Sequence, residues 1–247
     1  MPRVVALYNI KGGVGKTSTA VNLAWLAAQG GARTLLWDLD PQGAASYLLR
    51  IKPKVKGGAR KLVGGKTDPR SLLKGTDHEL LDLLPADFSY RNMDLELGEV
   101  RRPTKGLARV LGPLARDYEH VFLDCPPAIS LASESIFVAA DVLLVPLIPS
   151  PLSLRTLDQL HTFLAQEVPK PPRVFAFFSM ADGRKRLHRE VIADLTATRR
   201  GVLTSPIPAA SDVERMALQR RVLAQTAPRG TAARAYEALW AELRSKL

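Results

Sequence analysis

Lys11-Gly12-Gly13-Val14-Gly15-Lys16-Thr17 stands between an apolar run, Val4-Val5-Ala6-Leu7-Tyr8, and a helix-period stretch from Thr17 to Gln29 that Gly30-Gly31 closes. A glycine-rich turn between a buried strand and a helix has a definite chemistry. Glycines let successive backbone N–H groups turn inward and approach anionic oxygens closely. The helix beginning near Gly15 points the positive end of its dipole at the same anion. In such a loop Lys16 reaches the β- and γ-phosphates of a nucleotide, and the Thr17 hydroxyl is placed to ligate Mg²⁺.

Outward from this loop, short apolar runs alternate with helical periodicity. Strands are expected at Thr34–Trp37, Leu80–Leu84, His120–Leu123, Val142–Val145, Val174–Phe178 and Val202–Leu203, and helices at Thr104–Arg116, Leu131–Ala139, Ser153–Glu167, Lys185–Thr198 and Thr231–Lys246. Uniformly apolar strands separated by crossover helices predict an α/β fold, with a doubly wound, mainly parallel sheet covered by helices on both faces. Without an internal repeat or a long linker, residues 1–247 are expected to form a single domain. Lys52 to Arg70 carries seven basic residues among glycines and prolines and is expected to be a mobile basic surface loop.

Composition narrows the function. The chain has 247 residues, 46% of them hydrophobic, and one cysteine, Cys125. One thiol excludes a disulfide framework, a multi-thiolate zinc site and an iron–sulfur cluster held within one chain. No apolar run reaches the roughly 18–20 residues of a membrane span, and the N-terminus lacks the zones of a secretory signal. An intracellular, cytoplasmic protein is expected. Its net charge of +11 favours polyanionic partners.

The strict phosphate-loop pattern G-x-x-x-x-G-K-[ST] would place a glycine where Ile10 stands, and a lysine, Lys11, follows it. This arrangement resembles the deviant Walker A loop of the ParA/MinD ATPases (SIMIBI class), with the nearest likeness to ParA/Soj-type partition ATPases. The likeness continues along almost the whole chain. Asp38-Leu39-Asp40-Pro41-Gln42-Gly43 matches the family's D-x-DPQG element. His120 to Pro127 resembles its Walker B segment, ending in Asp124-Cys125-Pro126-Pro127, and Pro206-Ile207-Pro208 resembles an Ile-Pro element found near adenine.

The resemblance implies a weak, partner- and DNA-stimulated ATP hydrolase. Nucleotide would be held by Lys11, Gly12, Gly13, Val14, Gly15, Lys16, Thr17 and Ser18, with Pro206, Ile207 and Pro208 at the base. Lys11, Lys16 and Asp40 would be catalytic, and Thr17, Asp40 and, through water, Asp124 would serve Mg²⁺. Lys11 would cross a nucleotide-sandwich homodimer to the partner's phosphates, by the logic of an arginine finger.

The family's iron-protein relatives need two cysteines per subunit, which this chain lacks. A MinD-like membrane cycle would use a terminal amphipathic helix. Here Tyr236, Leu239, Trp240 and Leu243 read instead as the core stripe of a docked helix, so membrane binding is not expected. A ParA-type protein would hold double-stranded DNA non-specifically in its ATP state. Candidate phosphate contacts are Arg184, Lys185, Arg186 and Arg189, with Arg215, Arg220 and Arg221 further on. The chain opens at its first strand, so no helix-turn-helix extension is expected. Partition specificity would fall to a separate ParB-like or cargo adaptor. The alternative within the family is positioning of a protein cargo on the nucleoid.

Overall fold

The computed structural model describes residues 3–247. Seven strands among these residues form one sheet in the order β3-β4-β2-β5-β1-β6-β7. They are β1 (Arg3–Leu7), β2 (Thr34–Asp38), β3 (Lys74–Gly75), β4 (Leu81–Leu84), β5 (His120–Asp124), β6 (Val142–Leu147) and β7 (Arg173–Phe178). All pairings are parallel except that of the short edge strand β3 with β4. The expected doubly wound α/β architecture is therefore the observed one.

Alternate residues of each strand enter two separate cores, as a sheet buried on both faces requires. Val5, Leu7, Leu36, Phe122, Val142, Leu144 and Phe177 lie on one face, under α1 (Lys16–Gln29) and the C-terminal helices. Val4, Ala6, Leu35, Trp37, Val121, Leu123, Leu143 and Phe178 line the other. The remaining helices are α2 (Ala44–Leu48), α3 (Gly58–Val63), α4 (Met93–Gly98), α5 (Gly106–Leu111), α6 (Leu131–Ala139), α7 (Pro151–Glu167), α8 (Arg186–Thr198), α9 (Ser211–Gln219), α10 (Leu223–Thr226) and α11 (Thr231–Arg244). Asn22 of α1 ties the C-terminal region to the first crossover: its Oδ1 accepts from the Leu223 N–H at 3.1 Å and its Nδ2 donates to Met216 Sδ. No helix among the described residues is long and apolar enough to cross a membrane.

Four details depart from the sequence expectation. Lys52–Arg70 is not a mobile loop: it contains α3, and Val55, Ala59, Leu62 and Val63 are buried in the core. Arg60 and Lys61 are the charged residues of that short helix, and both are exposed. The helix expected over Thr104–Arg116 is shortened to α5 with a 3₁₀ turn at each end, broken by Gly106, Gly112 and Pro113. Val202–Leu203 forms only a one-residue bridge to Ala176 rather than a strand. Finally, β6 continues through Pro146, whose carbonyl faces the β1 side and accepts from Asn9 Nδ2 at 2.7 Å. Because β1 has already ended there, the N–H that proline lacks would have had no strand partner.

Leu62→Ala should lower unfolding free energy by about 2–4 kcal/mol, as expected of a buried leucine. Urea denaturation checks this, since a mobile loop would show no loss.

Candidate nucleotide site

The loop from Tyr8 to Gly15 leaves the sheet at β1, between β5 and β6, and turns directly into α1. Gly13 and Gly15 take φ of +69° and +88°, left-handed conformations that glycine adopts without strain. At Gly15 there is also no room, because a Cβ would lie 2.8 Å from Ser179 Oγ. The loop is pinned from behind, where Lys11 N–H donates to Asn9 Oδ1 at 2.9 Å. Lys16 folds back over it, its Nζ donating to the Lys11 carbonyl at 3.1 Å, and is only 7% exposed. Burial lowers the pKa of Lys16, while Asp124 and then Cys125 and Asp40 act to raise it.

Two carboxylates end adjacent strands at the same height, Asp38 of β2 paired in register with Asp124 of β5. Both are fully buried. Ser46 donates its N–H and its hydroxyl to Asp38 Oδ2, each at 2.7 Å, but Asp38 Oδ1 has no partner. Neither oxygen of Asp124 has one. Burial pushes Asp38 up to about 6, with Asp40 adding to the rise and the Ser46 bonds opposing it. Asp124 is raised well above the usual carboxylate range, by burial first and the Asp38 charge second, with the Thr17 hydroxyl opposing. Such orphaned buried oxygens demand a cation or donors. Among the described residues no group of three or more His, Cys, Asp or Glu could hold a metal ion. A divalent ion at Thr17 and Asp124 would therefore need phosphate oxygens or water to complete its shell, the mode Mg²⁺ favours. Cys125 is completely buried, and burial drives its thiol far up, so it is packing rather than a nucleophile.

In front of the loop lies a cavity of about 570 Å³, within the range of small-ligand sites. At one end it is lined by Gly12, Gly13, Gly15, Lys16, Thr17, Ser18 and Asp40; Ile207 and Pro208 lie on its wall. Val14 is buried beneath the loop instead, and neither Lys11 nor Pro206 lines the cavity. Residues that sequence reasoning did not place here complete the wall: Pro127, Ser179, Met180, Ser211, Val213, Glu214 and Tyr236. Hydrogen bonds bring the distant segments in. Ile207 N–H donates to Phe178 O at 2.8 Å, and Ala181 N–H donates to Ile207 O at 3.0 Å. The Ile-Pro element was the one sequence signal for this side.

The basic candidates fall into two groups. Around the β7–α8 turn, Arg184 binds Asp182 through two nitrogens at 3.0 Å each, Arg186 pairs with Glu190 at 2.6 Å, and Arg189 donates to the Gly183 carbonyl at 2.7 Å. Lys185 precedes α8 there, exposed. Arg215 lies exposed on α9, while Arg220 and Arg221 at its end face α2.

Fold and loop together define a P-loop NTPase. Comparison with known proteins refines the class. A family model described as an AAA domain matches residues 2–170. The chromosome partitioning protein ParA of Myxococcus xanthus is 33% identical over 198 residues, covering 78% of this chain and 70% of its own. The chromosome-partitioning ATPase Soj of Thermus thermophilus is 32% identical over 257 residues, covering 99% of this chain and 96% of its own. A Mycobacterium smegmatis structure described as cobyrinic acid a,c-diamide synthase, with an ATP analogue and magnesium bound, superposes with a TM-score of 0.84 at 28% identity, covering 99% of this chain and 94% of that one. The chain belongs to the ParA/MinD family, on its ParA/Soj side, and is a ParA-type ATP hydrolase.

The raised Asp38 carboxyl makes stability depend on pH. Between about pH 4, where an unfolded aspartate titrates, and about pH 6 the folded chain holds the extra proton, so stability falls as pH rises through that window. The loss should be about 2–3 kcal/mol by pH 7. Asp38→Asn should flatten that slope in thermal melts from pH 4 to 7.

Proposed function

We propose that this protein is a partition ATPase whose ATP-bound homodimer holds DNA non-specifically and releases it after hydrolysis, thereby segregating chromosome or plasmid DNA. ATP lies in the 570 Å³ cavity, its triphosphate over Gly12–Ser18 and its base against Ile207 and Pro208. Thr17, Asp40 and, through water, Asp124 hold Mg²⁺, which when bound neutralises charge on the β- and γ-phosphates. The observation that carries this reading is the set of unpartnered Asp38 and Asp124 oxygens behind a buried lysine and a left-handed glycine loop.

The roles then follow from chemistry. Lys16 neutralises phosphate oxygens from inside the loop. Asp40 stands on the cavity wall with its Oδ1 accepting from the Gln42 N–H at 2.9 Å, and it orients the attacking water. Lys11 is only partly buried and lies off the cavity lining, so in a face-to-face dimer its ammonium serves the partner's nucleotide. A charge delivered only on assembly ties turnover to dimerisation. The dimer works on the nucleoid in the cytoplasm, and a separate ParB-like or cargo adaptor stimulates hydrolysis. Relatives named for chromosome partitioning favour DNA as the cargo.

Light scattering with a non-cleavable ATP analogue should show the full chain doubling in mass. Lys11→Ala should still bind the analogue yet stay monomeric. Lys16→Ala should lose about a hundredfold in nucleotide affinity, the size of a strong charged contact; unchanged affinity there would refute the site.

A further inference from the structure

Residues 125–130, which have no regular structure, join Asp124 at the end of β5 to α6. They run past the nucleotide cavity, whose wall includes Pro127. Two consecutive residues at the exit of β1, Leu7 and Tyr8, hold the Pro126-Pro127 turn on either side. Before the turn, the Cys125 N–H donates to the Leu7 carbonyl at 3.4 Å. Beyond it, the Tyr8 hydroxyl donates to the Ala128 carbonyl at 2.8 Å, and the Ser133 hydroxyl donates to the same oxygen at 2.7 Å. Ser133 is itself fixed at the start of α6, where its Oγ accepts from the Ser130 N–H at 2.9 Å.

Packing alone does not hold this turn. Beneath it lies a second cavity, of about 140 Å³, lined by Pro126 and Ala128 from the turn and by Leu39 and Pro41 from the segment after β2. A void takes contact atoms away from one side of whatever borders it, so the polar contacts at Ala128 carry the turn's position. Tyr8 suits that task. It is 1% exposed, its ring meets Phe137 edge-to-face at 4.8 Å, and its N–H donates to the Leu144 carbonyl of β6 at 3.2 Å. Burial raises the Tyr8 pKa, so the hydroxyl keeps the proton it donates. The next residue, Asn9, donates to the Pro146 carbonyl and accepts from the Lys11 N–H. One stretch of backbone thus anchors the phosphate loop through Asn9 and the turn after Asp124 through Tyr8.

A buried tyrosine needs some acceptor for its hydroxyl. Here the acceptor belongs to the segment that joins Asp124, with its unpartnered oxygens, to the cavity wall at Pro127. We propose that Tyr8 is a positioning residue for ATP hydrolysis: through the Ala128 carbonyl, its hydroxyl sets where the Asp124–Pro127 segment stands against the phosphate loop. The glycine cradle is held separately, by Asn9 and its own left-handed turns. Grip on the phosphates therefore persists without the Tyr8 bond, whereas the alignment that the reaction requires is lost. The proposal rests on the reading of Asp124 as a carboxylate that serves Mg²⁺, and it needs neither the homodimer nor DNA.

The test compares the full chain with its Tyr8→Phe variant, which keeps the ring against Phe137 and removes only the hydroxyl. Ser133 still satisfies the Ala128 carbonyl in that variant. The Ala128 N–H donates to the Pro126 carbonyl at 3.0 Å. Without nucleotide, this amide should exchange with solvent roughly tenfold faster in Tyr8→Phe, while the amides of β1 and β5 keep their rates. With ATP and magnesium, kcat should fall about tenfold, the kinetic size of one lost hydrogen bond, while affinity for a non-cleavable ATP analogue holds. Ser133→Ala should also speed exchange at Ala128, and the double variant should show non-additive losses because both hydroxyls act on one oxygen. Wild-type exchange at Ala128 in Tyr8→Phe would overturn the proposal, as would an unchanged kcat or a loss confined to analogue affinity. The exchange measurement needs no ligand, so failure of the wild-type chain to bind the analogue would overturn the nucleotide-site reading separately.

Discussion

The arrangement turns on an electrostatic deficit at the carboxyl ends of β2 and β5. Asp38 and Asp124 stand side by side in a fully buried position, and Lys16 is folded in beside them with its ammonium donating to a backbone carbonyl. Burial pushes both carboxyls up, with the Asp40 charge adding to the rise at Asp38 and the Asp38 charge to the rise at Asp124. The surrounding fold keeps that deficit in place. Ser46 on α2 holds one carboxylate and also accepts from the Ala86 N–H, linking the β2 and β4 connections. An isolated chain therefore carries its charge imbalance at the spot where a polyanion and its counter-ion would arrive together, and removal of that pair leaves the imbalance behind.

What could be read from residues alone was what is local. Gly13 and Gly15 are legible because a left-handed turn before a helix has few other solutions. The apolar strands are legible because both their faces are buried, so no polar alternation interrupts them. Ser179, Glu214 and Tyr236 were not legible as cavity residues. They lie some 160 to 220 residues from the phosphate loop; a backbone ladder between Phe178 and Ala209 joins the Ser179 segment to the approach of α9, and the packing of α11 on α1 brings Tyr236, neither of which any periodicity encodes. Tyr236 belongs to the apolar stripe of α11 and to the cavity wall at once, and the stripe conceals the second role.

The misread basic segment shows how charge can mask pattern. Ala59, Leu62 and Val63 have the spacing of one helical face, yet the lysines, arginines and glycines between them weigh more in a composition-based reading. Gly106, Gly112 and Pro113 show the reverse, a helical pattern that local breakers cut into short turns.

The wall that Tyr236 contributes has a consequence for the protein's birth. The phosphate loop precedes α1, but the chamber in front of it is closed by α11, some two hundred residues further along the chain. Chains fold from the N-terminus as they emerge, so a growing polypeptide presents its glycine loop long before it owns a complete chamber. Closure of the chamber is thus deferred until α11 has been made, and a molecule clipped ahead of that helix would lack the wall that Tyr236 supplies.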